Sequence, residues 1–338
     1  MTTALPYRER PEWADVTPVP LNEGPRPFAP ILFSKEYQEA FEYFTAVTQA
    51  NEISQRAFDL TTHLVTLNPG LYSAWYFRQQ LIEELKLDLH KELEFVTGRL
   101  LETPKNYQMW NHRQYIISKL GDYSKEKELM DHVLEIDAKN YHVWVYRQWL
   151  VAHFGLWDGE LECVNDLLTK DVRNNSAWSY RYFLLYGSAA ANAPIGADEP
   201  NGPQRTLAVD DDEEFQFVCD QILRAPSNES PWVYLRGVLR HLAQRAKVPA
   251  IQTPAAVKAV CERLVKGQSQ SPHLYGFLVD EAEAHNDWTG VRDTCLHLEE
   301  VVDKTRRRYW AMRRQVAERA LAAAAPGNIA PTATAQVS

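Results

Sequence analysis

The chain has 338 residues, 45% of them hydrophobic and 24% charged, which is ordinary globular chemistry with room for one to three domains. Its 36 Lys plus Arg against 45 Asp plus Glu give a net charge of −9, a poor endowment for a general nucleic-acid binder, which must neutralise phosphates. No stretch approaches the roughly 20 apolar residues of a membrane span, and Arg8, Glu9 and Arg10 stand where a signal peptide needs an apolar core, so the expected location is cytoplasmic.

Residues 1–34 hold seven of the nineteen prolines, among them Pro18, Pro20, Pro25, Pro27 and Pro30, and read as an extended arm without helix. Helical periodicity begins at residue 35. From there the tryptophans set a repeat: Trp75, Trp110, Trp144 and Trp178 are spaced 35, 34 and 34, and each is followed three residues later by Arg78, Arg113, Arg147 or Arg181. Asn106, Asn140 and Asn174 precede the last three by four residues. Asn228, Trp232 and Arg236 continue the series after a gap of 54, whose surplus falls in the low-complexity stretch Gly187–Val209. A degenerate unit centres on Tyr275 and a last one on Trp310 with Arg313. Beyond residue 320 the chain drifts into Ala, Pro and Thr and reads as a disordered tail, 321–338.

The block N-x3-W-x2-R has a mechanism. Asn caps a helix by accepting a free backbone N–H, and Trp and Arg then share one face a turn apart. Upstream, Leu89, Leu93, Val96 and Leu100 recur at helical spacing. Each period is therefore two antiparallel helices, neither able to bury its apolar face alone, so the pairs must stack. The expected fold is all-α: an α-solenoid of about seven antiparallel helical pairs over 35–320. A tetratricopeptide array is the obvious comparison, but its W-x2-L-G signature fails, because Arg replaces the Leu and Gly never follows. An Arg in the core must be satisfied there, with Asn from a neighbouring repeat or a Trp face as the expected partner. The signature residues thus read first as structural. In the first block Leu71 stands where the cap should be. Asp210–Glu214 reads as acidic residues opening a helix at Phe215 through its dipole, and Arg306–Arg308 as a solvated face. Cys163, Cys219, Cys261 and Cys295 include no C-x-x-C pair, and free, mostly buried thiols are expected.

The blocks PKNYQMWNHRQY, DAKNYHVWVYRQW, LTKDVRNNSAWSYRYF and NESPWVYLRG, with the arm YRERPEWADVTPVPLNEGP and the segments GLWDGEL, FLVD and DKTRRRYW, carry a resemblance over roughly residues 7 to 315. The chain resembles the α-subunit family of protein farnesyltransferase and protein geranylgeranyltransferase type I. The α subunit of Rab geranylgeranyltransferase uses the same repeat, and the proline-rich arm favours the first family. The resemblance implies a crescent of seven helical pairs wrapped around a β subunit that holds the catalytic zinc, with magnesium serving the farnesyl reaction. The complex transfers an isoprenoid from its diphosphate to the Cys thiol of a C-terminal CaaX sequence, and the α chain alone is inactive. No metal is assigned to this chain. Isoprenoid length is set by β. The competing class is a non-catalytic helical scaffold that binds partner peptides.

The same resemblance assigns site residues. Lys105 and His142 are the catalytic candidates, stabilising charge on the departing diphosphate. Tyr107 and Tyr141, which follow the capping Asn residues, and Gln108, which addresses the substrate's terminal carboxylate, are the substrate-binding candidates. The residue-level alternatives are a solvated surface Lys at 105, a polar helix-start residue touching the partner subunit at His142, and an exposed helix Gln at 108.

Overall fold

A computed structural model describes residues 5–21, 24, 29, 31–187 and 207–324. The described residues form fifteen α-helices and no strand. α1 (Lys35–Gln49) leads, and the rest pair along the chain. The first three pairs are α2 (Gln55–Leu67) with α3 (Tyr72–Glu84), α4 (Leu89–Glu102) with α5 (Tyr107–Leu120), and α6 (Glu126–Ile136) with α7 (Tyr141–Phe154). Next come α8 (Glu160–Lys170) with α9 (Asn175–Tyr186) and α10 (Asp211–Arg224) with α11 (Glu229–Ala246). The last are α12 (Ala255–Lys266) with α13 (Pro272–Ala284) and α14 (Trp288–His297) with α15 (Arg307–Ala324). Two compact units divide the chain, one up to Arg147 and one from Gln148.

Local chemistry explains the helix ends. Asn106, Asn174 and Asn228 each accept a first-turn N–H, as the sequence predicts. Gly121 closes α5 in the left-handed region at φ 68°, which its missing side chain permits. Leu71 gives α3 no side-chain cap. α10 begins at Asp211, four residues before the expected Phe215, because the Asp210 carboxylate accepts from the N–H groups of Asp212 and Glu213 at 2.9 and 3.2 Å. α15 runs to Ala324, past the expected end at 320, through alanines that favour helix. The expected loop lies outside the described residues from 188 to 206, and so does the tail from 325.

The arm departs from the extended, helix-free expectation. Tyr7–Glu9 and Pro11–Trp13 are single 3-10 turns, and Pro11 sits at a first position where its missing N–H costs nothing. The Tyr7 and Trp13 rings are each 4% exposed. Polar contacts fix the turns on α1 and α2: Tyr7 Oη with His63 Nδ1 at 2.8 Å, Arg8 Nε donating to Glu39 at 2.6 Å, and Arg56 forking Asp15 at 2.6 and 2.9 Å.

Within each unit the repeat is held by a buried ionic network. The five repeat tryptophans are at most 4% exposed. Arg78, Arg113, Arg147 and Arg181 are buried too. The partner that Arg78, Arg113 and Arg181 fork is a glutamate, not Asn or a Trp face as expected, while Arg236 is half-buried and pairs with Asp280. Arg78 forks Glu92 at 2.7 and 2.6 Å, and Arg113 forks Glu126 at 2.8 and 2.6 Å. In the second unit Arg181 forks Glu214, with Nε at 2.8 Å. Each carboxylate also accepts from the second helix of its own pair: His112 to Glu92 at 2.7 Å, Tyr146 to Glu126 at 2.7 Å, Tyr180 to Glu160 at 2.5 Å and Tyr234 to Glu214 at 2.6 Å. The arginine's remaining nitrogen reaches back sixteen residues, to Thr62, Thr97, Asp131 or Asn165. Asn165 belongs to the same helical pair as Arg181, so this Asn contact is not the one expected from a neighbouring repeat. Burying an ion is unfavourable unless its hydrogen bonds are complete, and this geometry completes them.

Glu92, Glu126, Glu160 and Glu214 follow each other at 34, 34 and 54, the spacing of Trp110, Trp144, Trp178 and Trp232. That periodicity was readable, and acidic residues on amphipathic helices simply look solvated.

Removing one partner exposes the cost of burial. Arg113→Leu should destabilise by about 3–5 kcal/mol, because it strands the Glu126 carboxylate, while Arg113→Leu with Glu126→Leu should recover most of the loss. Urea unfolding of the folded chain or its complex measures both. A second test concerns acid. Burial pushes Glu92 upward, but hydrogen bonds and charge from His112 and Arg78 outweigh it and bring the carboxyl from 4.5 to about 2. In His112 burial wins and holds the imidazole below its usual 6.5. The unfolded chain therefore takes up protons that the folded site refuses. Stability is full above pH 6.5 and falls as the pH drops, first through His112 and then from 4.5 toward about 2 through Glu92. His112→Tyr, which installs the residue of the later repeats, should abolish the first part, read as urea midpoints between about pH 7 and pH 5.

Candidate functional site

The site candidates sit on two loops of the first unit, one before α5 and one before α7. Asn140 stacks these loops. Its Oδ1 accepts from the N–H groups of His142 and Val143 at 3.0 and 3.3 Å, starting α7. Its Nδ2 donates to the Pro104 carbonyl at 3.2 Å, which also accepts the Trp110 indole N–H at 2.9 Å. One carbonyl is thus shared by the tryptophan of its own repeat and the asparagine of the next. The second unit repeats the device at Val172, which accepts Trp178 Nε1 and Asn228 Nδ2 at 2.9 and 2.8 Å. Ser271 does the same at Pro226.

This stacking brings Lys105 and His142 together across 37 positions of sequence. Burial holds the His142 imidazole below 6.5, against a smaller upward pull from the Lys105 backbone. The Tyr107 and Tyr141 rings lie edge-on to His142, with centroids 6.0 and 5.7 Å away. Gln108 is half-buried, next along α5. The Lys105 ammonium extends to the surface and meets Asp137 Oδ2 at 2.9 Å. Asp137 did not figure in the sequence reading, although the Asp of Asp-Ala-Lys-Asn is plain once the loops are stacked.

The edge is also aromatic. Tyr72, Tyr107 and Tyr141 occupy equivalent helix starts and are 65%, 47% and 67% exposed; Tyr76 stacks on Tyr72 with centroids 6.4 Å apart. Exposed rings in series on one unit have the makings of a contact surface. Chemically, the arrangement offers a mobile cation, an imidazole and two phenol-bearing rings at a solvent-facing edge, a set suited to a phosphorylated anion. Among the described residues no three His, Cys, Asp or Glu side chains converge as metal ligands, and no helix is long and apolar enough to cross a membrane.

Comparison with known proteins follows the same repeat. The model of the protein prenyltransferase alpha subunit repeat matches residues 54–85, 89–120, 123–154, 157–187 and 211–242, the pairs α2–α3 through α10–α11. A protein farnesyltransferase/geranylgeranyltransferase type-1 subunit alpha from Dictyostelium discoideum is 33% identical over 316 residues, 90% of this chain and 92% of that protein. The chain belongs to that family. The subunit of the same name from Pisum sativum is 42% identical over 125 residues, 37% of this chain, and the matched stretch spans 38% of the pea protein. Among solved structures, a chain of Candida albicans protein geranylgeranyltransferase-I complexed with GGPP aligns with a TM-score of 0.74 at 27% identity, covering 90% of this chain and 98% of that one. Membership accounts for the helical-pair repeat from α2 onward, and the remaining two pairs, α12–α13 and α14–α15, continue it with weaker signatures.

The geometry at His142 is testable. In the chain without diphosphate its imidazole should titrate below 6.5 and be neutral at pH 7. A bound diphosphate is best met by the protonated ring, so diphosphate should move the midpoint upward. Proton NMR of the histidine ring signals, assigned with His142→Gln, measures both values.

Proposed function

We propose that this chain is the α subunit of a heterodimeric CaaX protein prenyltransferase, of the farnesyl or geranylgeranyl type I kind. With a β subunit it transfers an isoprenoid from its diphosphate to the Cys thiol of a C-terminal CaaX sequence, in the cytoplasm. The observation that carries this reading is the convergence of Lys105, His142 and Tyr107 on one exposed edge of a chain of this family. The length of the match to a type-1 subunit favours it over the Rab-type alternative.

In this reading negative charge gathers on the diphosphate as the carbon–oxygen bond breaks. The Lys105 ammonium meets that charge, and His142 supplies a second donor from the same edge. Tyr107 and Tyr141 line the diphosphate region, and Gln108 addresses the peptide's carboxylate. The resemblance assigns to the β subunit the zinc that would activate the thiol. Magnesium adds countercharge in the farnesyl reaction. The exposed tyrosines Tyr72, Tyr107 and Tyr141 are covered by β, which makes the α chain inactive on its own.

Co-expression with a β subunit should give zinc-dependent prenylation of a CaaX peptide, and a preparation without such turnover would favour the scaffold reading. Within the complex, Lys105→Ala should slow the chemical step by about 10²–10³ while weakening isoprenoid-diphosphate binding much less, because its contribution grows toward the transition state. His142→Ala should do the same more mildly, and Gln108→Ala should raise the peptide KM. Single-turnover kinetics with zinc content checked measures these, and an unchanged rate in Lys105→Ala would remove Lys105 from the chemistry.

A further inference from the structure

Lys105 has a flexible four-carbon stem, and its side chain is 73% exposed. Such an ammonium samples many rotamers unless something fixes it. The group that meets it, Asp137, is itself held by the backbone. Its Oδ1 accepts the Lys139 N–H at 3.1 Å, and its own carbonyl accepts the Asn140 N–H at 3.0 Å. Oδ2 is left to take the Lys105 ammonium at 2.9 Å. Asn140 in turn is bonded to Pro104, the residue before Lys105. Both ends of the ion pair are therefore anchored to one stacked pair of loops, beside the His142 ring.

We infer that Asp137 is a positioning residue for Lys105: its turn-locked carboxylate aims the ammonium along the His142–Tyr107 edge and yields it to the diphosphate. This rests on the function proposed above. The lysine bond is the main reason the Asp137 carboxyl stays below its usual range, so the carboxylate is charged throughout the neutral region. A solvent-exposed pair is weak, and a diphosphate carries several charges on oxygens that the ammonium can reach. Asp137 thus restricts where the cation points without withholding it. The preceding block has Thr103 at the equivalent position, so the carboxylate is not a requirement of the turn.

Asp137→Asn is the informative change, because the amide oxygen still accepts the Lys139 N–H and keeps the turn while the charge is lost. In the α–β complex, single-turnover transfer should slow about threefold to fivefold, the scale of one exposed ion pair, with the isoprenoid-diphosphate Kd altered less than twofold. Combined with Lys105→Ala it should add nothing, since the carboxylate acts only through that lysine. A wild-type or faster rate in Asp137→Asn, or an equal further loss in the Lys105→Ala background, overturns the inference. If Lys105→Ala is slow and Asp137→Asn is not, only the role of Asp137 falls. If Lys105→Ala itself reacts at the normal rate, the proposed site falls with it.

Discussion

A carboxylate buried between helices governs this structure. Glu92, Glu126, Glu160 and Glu214 are each at most 4% exposed, and an ion in such surroundings is tolerable only when every oxygen is bonded. Where the full set is seen, at Glu92, Glu126 and Glu214, partners come from three successive helices: an Arg from the preceding pair, the Glu itself, and a Tyr or His from the helix after it. Sliding one helix along another would break bonds to a charge that has no water to replace them. The network therefore fixes register, which apolar packing alone leaves loose. Whether it adds net stability over a hydrophobic substitute is a separate matter, since ionic clusters of this kind specify geometry at a desolvation cost.

The tryptophans work with it. Trp75 lies against His112, Trp110 against Tyr146 and Trp178 against Tyr234, with ring centroids 4.8, 5.0 and 5.0 Å apart. Each ring pair supplies apolar burial beside the polar network, and each indole N–H goes to a loop carbonyl six residues back. Where that carbonyl also takes Asn or Ser from the next repeat, the loops themselves are stacked. Lys105, Asp137 and His142 owe their proximity to this. A mechanism that holds the repeat together also builds the candidate site, which is why site chemistry can sit on loops and still be placed with the precision of a helix start.

The repeat loosens toward its end. Ser271 replaces the capping Asn, Phe277 lies under Trp232, and Trp310 gives its indole N–H to Asp303 in place of a loop carbonyl. Arg313 pairs with Asp280 and Glu283 on α13. The Arg313 side chain is 16% exposed and that of Arg236 24%, unlike the buried Arg78, Arg113, Arg147 and Arg181.

How far the sequence alone could go follows from these contacts. Local signals were sufficient for helices, caps and the period, because an Asn cap or a left-handed Gly acts within a few residues and a Trp every 34 marks each unit. The arginine's need for a partner was also evident, since a buried cation must be satisfied. Its identity was not, because Glu92 lies 14 residues from Arg78 and Glu214 lies 33 from Arg181, and nothing local marks these acids as buried. The arm was read as extended from its prolines, while Tyr7 and Trp13 draw it into turns by burial against helices that no local rule supplies. For the site, the family resemblance named Lys105, Tyr107, Gln108, Tyr141 and His142, where residue type and position alone favoured solvated helix starts. Only the stacked loops showed that His142 lies beside the Lys105 backbone and that Asp137 holds the ammonium, because contacts between residues more than thirty positions apart exist only once the chain has folded.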